Sequence, residues 1–275
     1  MADPGQIAER FERDGFVFPV PVLSREAADE ARHRFLKTRR QAERDPRIAD
    51  YLDYKANVAY RWVDLLVHRP ALLDVVAAVL GPDLLLWSCS FVCKDPRSPG
   101  RYSWHQDATY WGMTPPVGLT VWLALGDVGQ HNGGMSFIPG AHARGQLAHT
   151  NTFAADIMLP RGQQIDELPE PGRAVALKLA SGEASFHGVF TPHASGPNGS
   201  DDYRVGCAMV FIPPHVKNLT LRESAMLVRG TDRHGNFELE PRPRADLDDD
   251  AVAAHGAAMR RMATWQNEQE LTKQA

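Results

Sequence analysis

Residues 104–107 read Trp104-His105-Gln106-Asp107, and residues 191–198 read Thr191-Pro192-His193-Ala194-Ser195-Gly196-Pro197-Asn198. On a strand or its frayed end, residues two apart point to the same side. His105 and Asp107 therefore present an imidazole and a carboxylate to one point, and His193 adds a second imidazole near the start of a later strand. Two imidazoles and one carboxylate on one face of an octahedron leave three positions open, the pattern of non-haem iron(II) oxygenases. Those open positions admit both a cosubstrate and dioxygen. With eleven histidines in the chain, one His-x-Asp pair carries little weight. Arg204 adds to it, standing in Tyr203-Arg204-Val205-Gly206 at the entry to an apolar run that ends at Phe211-Ile212. An arginine at the edge of a barrel interior keeps its charge and needs a partner. A ligand carboxylate fits its fork; a surface position or a structural ion pair is the plainer alternative.

Working outward, the middle of the chain reads as β-structure. Leu84 to Lys94 is apolar and rich in Val, Phe, Trp and Cys, and Leu119 to Leu125 is a second strand candidate. A Gly- and Asn-rich turn over Asp127 to Gly134 leads to Met135–Ile138, and Ala174–Leu179, Glu183–His187 and Val205–Ile212 continue the series. Short strands separated by Gly, Pro and Asn turns predict a sandwich or barrel of the jelly-roll type. Residues 141–172 read as a polar, irregular insertion, a length that suggests a lid or binding loop. The first third reads helical. Ser24 caps a helix from Arg25 whose Ala27, Ala28, Ala31 and Phe35 share a face, and a second helix runs from Pro70 until Gly81-Pro82 stops it. The tail from Asp246 is helical, with Val252, Met259, Met262 and Trp265 as its packing stripe. One domain over 1–275 is expected: a helical part to about 82, a β core over about 84–215, and a loop and helix after it.

The 275 residues are 43% hydrophobic and 23% charged, enough for a sizeable core. A formal charge of −4 supplies no polybasic footprint, so neither nucleic acid nor an anionic membrane is an expected partner. Three cysteines argue against a disulfide framework and fit a reducing cytoplasm. Cys89 and Cys93 would share a strand face; two small buried hydrophobes is the favoured reading over a zinc pair. No secretory signal is visible, and no run approaches the ~18 apolar residues of a membrane span.

The motifs together resemble the phytanoyl-CoA dioxygenase family. They are His105-Gln106-Asp107, the Thr120-Val121-Trp122-Leu123-Ala124-Leu125 strand, Asn132-Gly133-Gly134-Met135 through Ile138-Pro139-Gly140-Ala141-His142, and His193-Ala194-Ser195-Gly196-Pro197-Asn198 with Arg204. Phe11-Glu12-Arg13-Asp14-Gly15-Phe16-Val17 looks like that family's opening. The resemblance implies a double-stranded β-helix (jelly-roll, cupin-like) core with flanking helices. It implies iron(II) on His105, Asp107 and His193, with 2-oxoglutarate and dioxygen as cosubstrates. It also implies that Arg204 and Ser195 hold the distal carboxylate of 2-oxoglutarate beside Trp122, with Gln106 and Thr120 as weaker carry-overs. Related halogenating enzymes replace the acid by Ala or Gly, so Asp107 predicts hydroxylation of a small molecule, free or carrier-tethered. Desaturation, epimerisation or cyclisation on the same scaffold and a non-catalytic cupin-like binding protein are the alternatives.

Around the triad, Lys94, Tyr102, Tyr110, Trp111 and His187 are candidate substrate contacts. Each has a plain packing alternative: His187 as a hydrogen-bonded barrel histidine, Lys94 as a side chain snorkelling to solvent, the aromatics as core. Trp104 and Met113 are weighed the same way. His142 and His149 are expected at the surface, and Arg229–Gly235 as a polar loop, closing over the site or simply exposed.

Overall fold

A computed structural model describes residues 4–219 and 223–274, with the side chains of Pro4, Pro46, Tyr110 and residues 263–274 outside that description. The chain forms two compact units. One comprises Met1–Leu36, Val92–Trp111 and Leu119–Ala208, the other Lys37–Phe91, Gly112–Gly118 and Met209–Ala275. Neither follows the expected division into helical head, β core and tail, because each is built from three separated stretches.

The first unit is a two-sheet core. One sheet orders Phe16–Pro21, Glu183–Gly188, Leu119–Ala124 and the first half of Arg204–Ile212; the first three are antiparallel, with Thr120 opposite His187 and Trp122 opposite Ser185. The other orders Tyr102–His105, His193–Ser195, Met135–Phe137 and Val175–Ala176, all antiparallel. Side chains from both sheets meet in a buried cluster of Phe16, Trp122, Ala124, Met135 and Phe137, where the Phe16 and Phe137 rings stack at 4.8 Å. Leu119–Ala124 is buried at every position, which explains why its run is apolar at every position but Thr120. Gly133 turns with φ 79° into Met135–Phe137. A Cβ there would sit 2.7 Å from the Gly196 carbonyl oxygen, so only glycine suits this turn. The core is cupin-like jelly roll, as expected.

Helix Arg25–Ala42 starts at Ser24, whose Oγ accepts the Ala27 N–H at 3.2 Å. Ala28, Ala31 and Phe35 are its buried face. The insertion is less irregular than expected. His149–Asn151 and Gln163–Ile165 pair as an antiparallel hairpin, and Ser103 Oγ, on the strand that carries His105, donates to the Gln163 carbonyl.

The second unit holds helices Pro46–Asp53, Ala56–Ala59, Arg61–Val67, Pro70–Leu80 and Asp249–Gln274. Leu84–Leu86 pairs with Ser224–Arg229, which pairs with Glu238–Leu239. In the last helix Ala251, His255 and Ala258 are buried, while Val252, Met259 and Met262 are only half-buried; Trp265's side chain is outside the described ones. His255 accounts for the altered stripe: its Nε2 lies 2.8 Å from the Tyr54 carbonyl oxygen. Arg229 pairs with Asp74 and the Thr231 N–H with Asp83, so this segment is a tied-down turn. Among the described residues no cysteine forms a disulfide. Among the described residues no helix is long and apolar enough to cross a membrane.

Candidate metal centre and its cavity

Register brings the two imidazoles together. His105 ends the Tyr102–His105 strand and lies directly opposite His193 on His193–Ser195, a cross-strand pairing that sets side chains face to face. Their ring centroids are 4.1 Å apart. Gln106 keeps extended backbone (φ −118°, ψ 137°), so the alternation carries through to Asp107 at the start of a short 3₁₀ turn. Each imidazole is oriented by its own chain: His105 Nδ1 lies 2.8 Å from the Ser103 carbonyl oxygen and His193 Nδ1 3.0 Å from that of Thr191. With Nδ1–H donating, both Nε2 lone pairs remain for a ligand bond. Asp107 Oδ1 is 3.7 Å from each Nε2, and the three donor atoms lie within 4.8 Å of one another.

The protonation states suit a metal. Burial, and the neighbouring histidines after it, push the His193 imidazole well below its ordinary value; burial likewise lowers His105. Burial alone would raise Asp107, but the His193, His187 and His105 imidazoles outweigh it and hold the carboxyl far below the usual range. Neutral imidazoles and an ionised carboxylate are the forms that ligate. Asp107 Oδ2 accepts the Thr120 hydroxyl at 2.6 Å. Thr120 thus reaches the site by holding the carboxylate. A borderline-hard N₂O donor set with an open side fits ferrous iron.

The same cavity, about 180 Å³, is lined by Arg204, Ser195 and Trp122. Arg204 is 3% exposed. It makes a long bond to the Val92 carbonyl, its Nε has no hydrogen-bond partner, and among the described residues no carboxylate pairs with it. Burial lowers it to about 10, a value at which guanidinium stays charged. Its Cζ lies 5.2 Å over the Trp122 ring, and the indole fits there because residue 206 has no side chain: a Cβ would meet Trp122 Cζ2 at 2.0 Å. Gly206 is the site residue that sequence reasoning passed over; it stands two places after Arg204 on one strand face, where any larger residue would fill the indole's seat.

Lys94 neither snorkels nor faces the cavity. It is 1% exposed, donates to Ser195 Oγ at 2.7 Å and to the Gly196 carbonyl, and burial, with Arg204 nearby, lowers it to about 7. In its ammonium form Lys94 only donates, so Ser195 Oγ then accepts and its own proton is free to point elsewhere.

Other expectations need correction. Gln106 faces away from the cavity, as alternation between His105 and Asp107 requires. Its amide donates to the Gly145 and Phe190 carbonyls and accepts the Leu147 N–H. His149 is half-buried, not a surface residue, since its Nε2 accepts the Gln106 N–H at 3.1 Å. His142 is half-buried too, its Nε2 3.1 Å from the Glu12 carbonyl oxygen. Tyr102 and His187 line the cavity; Trp104, Trp111 and Met113 do not, and the Tyr110 side chain is outside the described ones. The remaining wall is apolar, from Val92, Met135 and Ala208 on strands and Leu159 from the insertion.

A one-faced His/Asp/His centre inside a jelly roll, sharing its cavity with an unpaired buried arginine, defines the class of non-haem metal oxygenase folds. The family description "Phytanoyl-CoA dioxygenase (PhyH)" matches residues 11–206, and the chain belongs to this family, whose cofactor is iron(II) and whose cosubstrates are 2-oxoglutarate and dioxygen. Among solved structures it is similar to ThoJ, described as a non-heme monooxygenase, at 35% identity and TM-score 0.88 over 97% of this chain and 99% of that one. CytC3 with Fe(II) and alpha-ketoglutarate, at 24% identity and TM-score 0.65 over 90% of this chain and 95% of that one, shares the fold. A probable alpha-ketoglutarate-dependent hypophosphite dioxygenase of Stutzerimonas stutzeri is 29% identical over 140 residues, 50% of this chain and 48% of the relative. L-proline trans-4-hydroxylase of Streptomyces griseoviridis is 29% identical over 89 residues, 31% and 33% of the two chains. The chain spans about half the length of the first two curated relatives it matches.

Proposed function

We propose that this chain is an iron(II)- and 2-oxoglutarate-dependent dioxygenase that hydroxylates an unactivated C–H of a small molecule. The observation that carries the reading is one cavity lined both by three convergent donors of the right protonation state and by a buried arginine with no protein carboxylate. His105 Nε2, Asp107 Oδ1 and His193 Nε2 hold the ion. When bound, iron and 2-oxoglutarate supply the activation of dioxygen, with succinate and CO₂ as coproducts and a substrate C–H as the oxidised bond. Arg204 binds the distal carboxylate of the cosubstrate by charge-assisted bonds in a low-dielectric setting. Ser195, its oxygen committed to Lys94, donates its proton to the same group, and Trp122 flanks it. Val92, Met135, Leu159 and Ala208 exclude water. Asp107 occupies the position that an alanine or glycine would open to halide, which favours hydroxylation. Non-heme monooxygenase, hypophosphite dioxygenase and proline hydroxylase among the relatives support an oxygenase acting on a small molecule, free or carrier-tethered. One oxygenase domain over 1–275, working in the cytoplasm without nucleic-acid or membrane partners, completes the reading.

Aerobic incubation with iron(II), 2-oxoglutarate and a broad substrate panel tests it. Succinate rises above background in the native protein and falls to background in Asp107→Ala. Absence of succinate across the panel would favour a binding protein. Product structure separates hydroxylation from desaturation, epimerisation or cyclisation.

A further inference from the structure

His187 is drawn into the centre without being one of its three donors. It stands on Glu183–Gly188 directly opposite Thr120 of Leu119–Ala124. Its side chain is 2% exposed, and its ring lies 4.4 Å from that of His193 and 5.3 Å from that of Phe137. Neither ring nitrogen has a hydrogen-bond partner of good geometry, though Nε2 comes within 3.4 Å of Asp107 Oδ2. A buried imidazole in that condition calls for an explanation, and a satisfied barrel histidine is not the one the geometry offers.

The carboxylate it faces has two unlike oxygens. Oδ1 is equidistant from the two ligand imidazoles, 3.7 Å from each Nε2. Oδ2 already accepts the Thr120 hydroxyl and is the oxygen that His187 approaches. We propose that His187 is a positioning residue which, with Thr120, engages Oδ2 so that Asp107 offers Oδ1 alone to the ion. The inference rests on the triad reading above. It has a consequence by counting. An octahedral ion has six positions. Two imidazoles and one carboxylate oxygen leave three, enough for a two-atom chelate by 2-oxoglutarate and for dioxygen. A carboxylate bound through both oxygens leaves two, and the chelate then takes both. His187 thus keeps the position for the gas.

The test reads that position without turnover. Anaerobic protein loaded with iron(II) and 2-oxoglutarate is titrated with nitric oxide, a dioxygen surrogate, and followed by electron paramagnetic resonance. His187→Leu, loaded at iron concentrations that saturate both proteins, binds nitric oxide at least about tenfold more weakly than the native protein. His187→Gln, which retains an N–H donor, recovers most of the loss. Native nitric oxide affinity in H187L overturns the proposal, and so does a collapse of iron affinity in both variants, which would make His187 a ligand. If neither variant folds, a crystal structure of the native protein with Ni(II) decides: monodentate Asp107 with His187 Nε2 hydrogen-bonded to Oδ2 supports the assignment, and bidentate Asp107 refutes it. Failure of the triad reading looks different, because D107A would then keep native iron affinity.

Discussion

Two buried clusters of charge in this molecule follow opposite rules. In the second unit Lys55 and Glu240, with side chains 4% and 3% exposed, pair at 2.6 Å, and the ammonium also donates to the Trp87 and Ser224 carbonyls. Lys55 and Glu240 there are each other's counter-charge, and the neighbouring Glu223, raised by burial, accepts from Trp87 Nε1. In the first unit Arg204 and Lys94 are as deeply buried, yet among the described residues neither has a carboxylate partner, and Lys94 is depressed by burial and by its fellow cation. A structural pair closes its own electrostatic balance; a buried charge left open has room for an anion, and under the proposed function the distal carboxylate of 2-oxoglutarate supplies it at Arg204, with Lys94 acting from behind the cavity wall.

Substitutions sharpen the contrast. Lys55→Met strands Glu240 as an uncompensated buried charge, so it costs about 3–5 kcal/mol and lowers Tm by roughly 10 °C; a melt within a degree or two of native would erase the distinction. Arg204→Met goes the other way. It removes an unpaired charge, so thermal stability holds or rises, while 2-oxoglutarate binding to the Ni(II)-loaded protein, measured by calorimetry, weakens by about 100-fold. Loss of stability without loss of binding would place Arg204 in the structural class.

The smallest effect is the pH dependence set by Lys94. Its folded value of about 7 lies below the ordinary 10.5. Between those values the unfolded chain carries the proton and the ligand-free fold does not, so ligand-free stability rises with pH across that window. The dianion prefers the ammonium form. Its dissociation constant therefore increases as pH climbs above about 7, by at most about tenfold per pH unit, and Lys94→Met flattens that slope. A slope that persists in K94M would assign the titration to another group.

Much of this was legible in the chain. Leu84–Lys94, Leu119–Ala124 and Arg204–Ile212 are legible because central strands buried on both faces need largely apolar runs, and Glu183–Gly188 because Gly turns bound it. The three-residue strand His193–Ser195 is too short for a pattern, pressed between Pro192 and Gly196-Pro197, and Ser224–Arg229 is a strand where the sequence predicts loop. The polar hairpin at 149–151 and 163–165 has no periodicity to read. At the site, alternation placed His105 and Asp107 correctly and, followed one step further, would have turned Gln106 outward. The Thr120 hydroxyl and the empty place at Gly206 act through contacts between strands distant in sequence, which no local pattern encodes.

The outward turn of Gln106 has a consequence for anyone reshaping this protein. That amide is spliced between residues 145–147 and the Phe190 carbonyl, while its backbone is the link between two metal donors. The segment that supplies Leu159 to the wall is therefore geared to the proposed metal centre. Exchanging it between homologues to alter substrate choice would also retune the iron, unless the graft carries its own partner for residue 106.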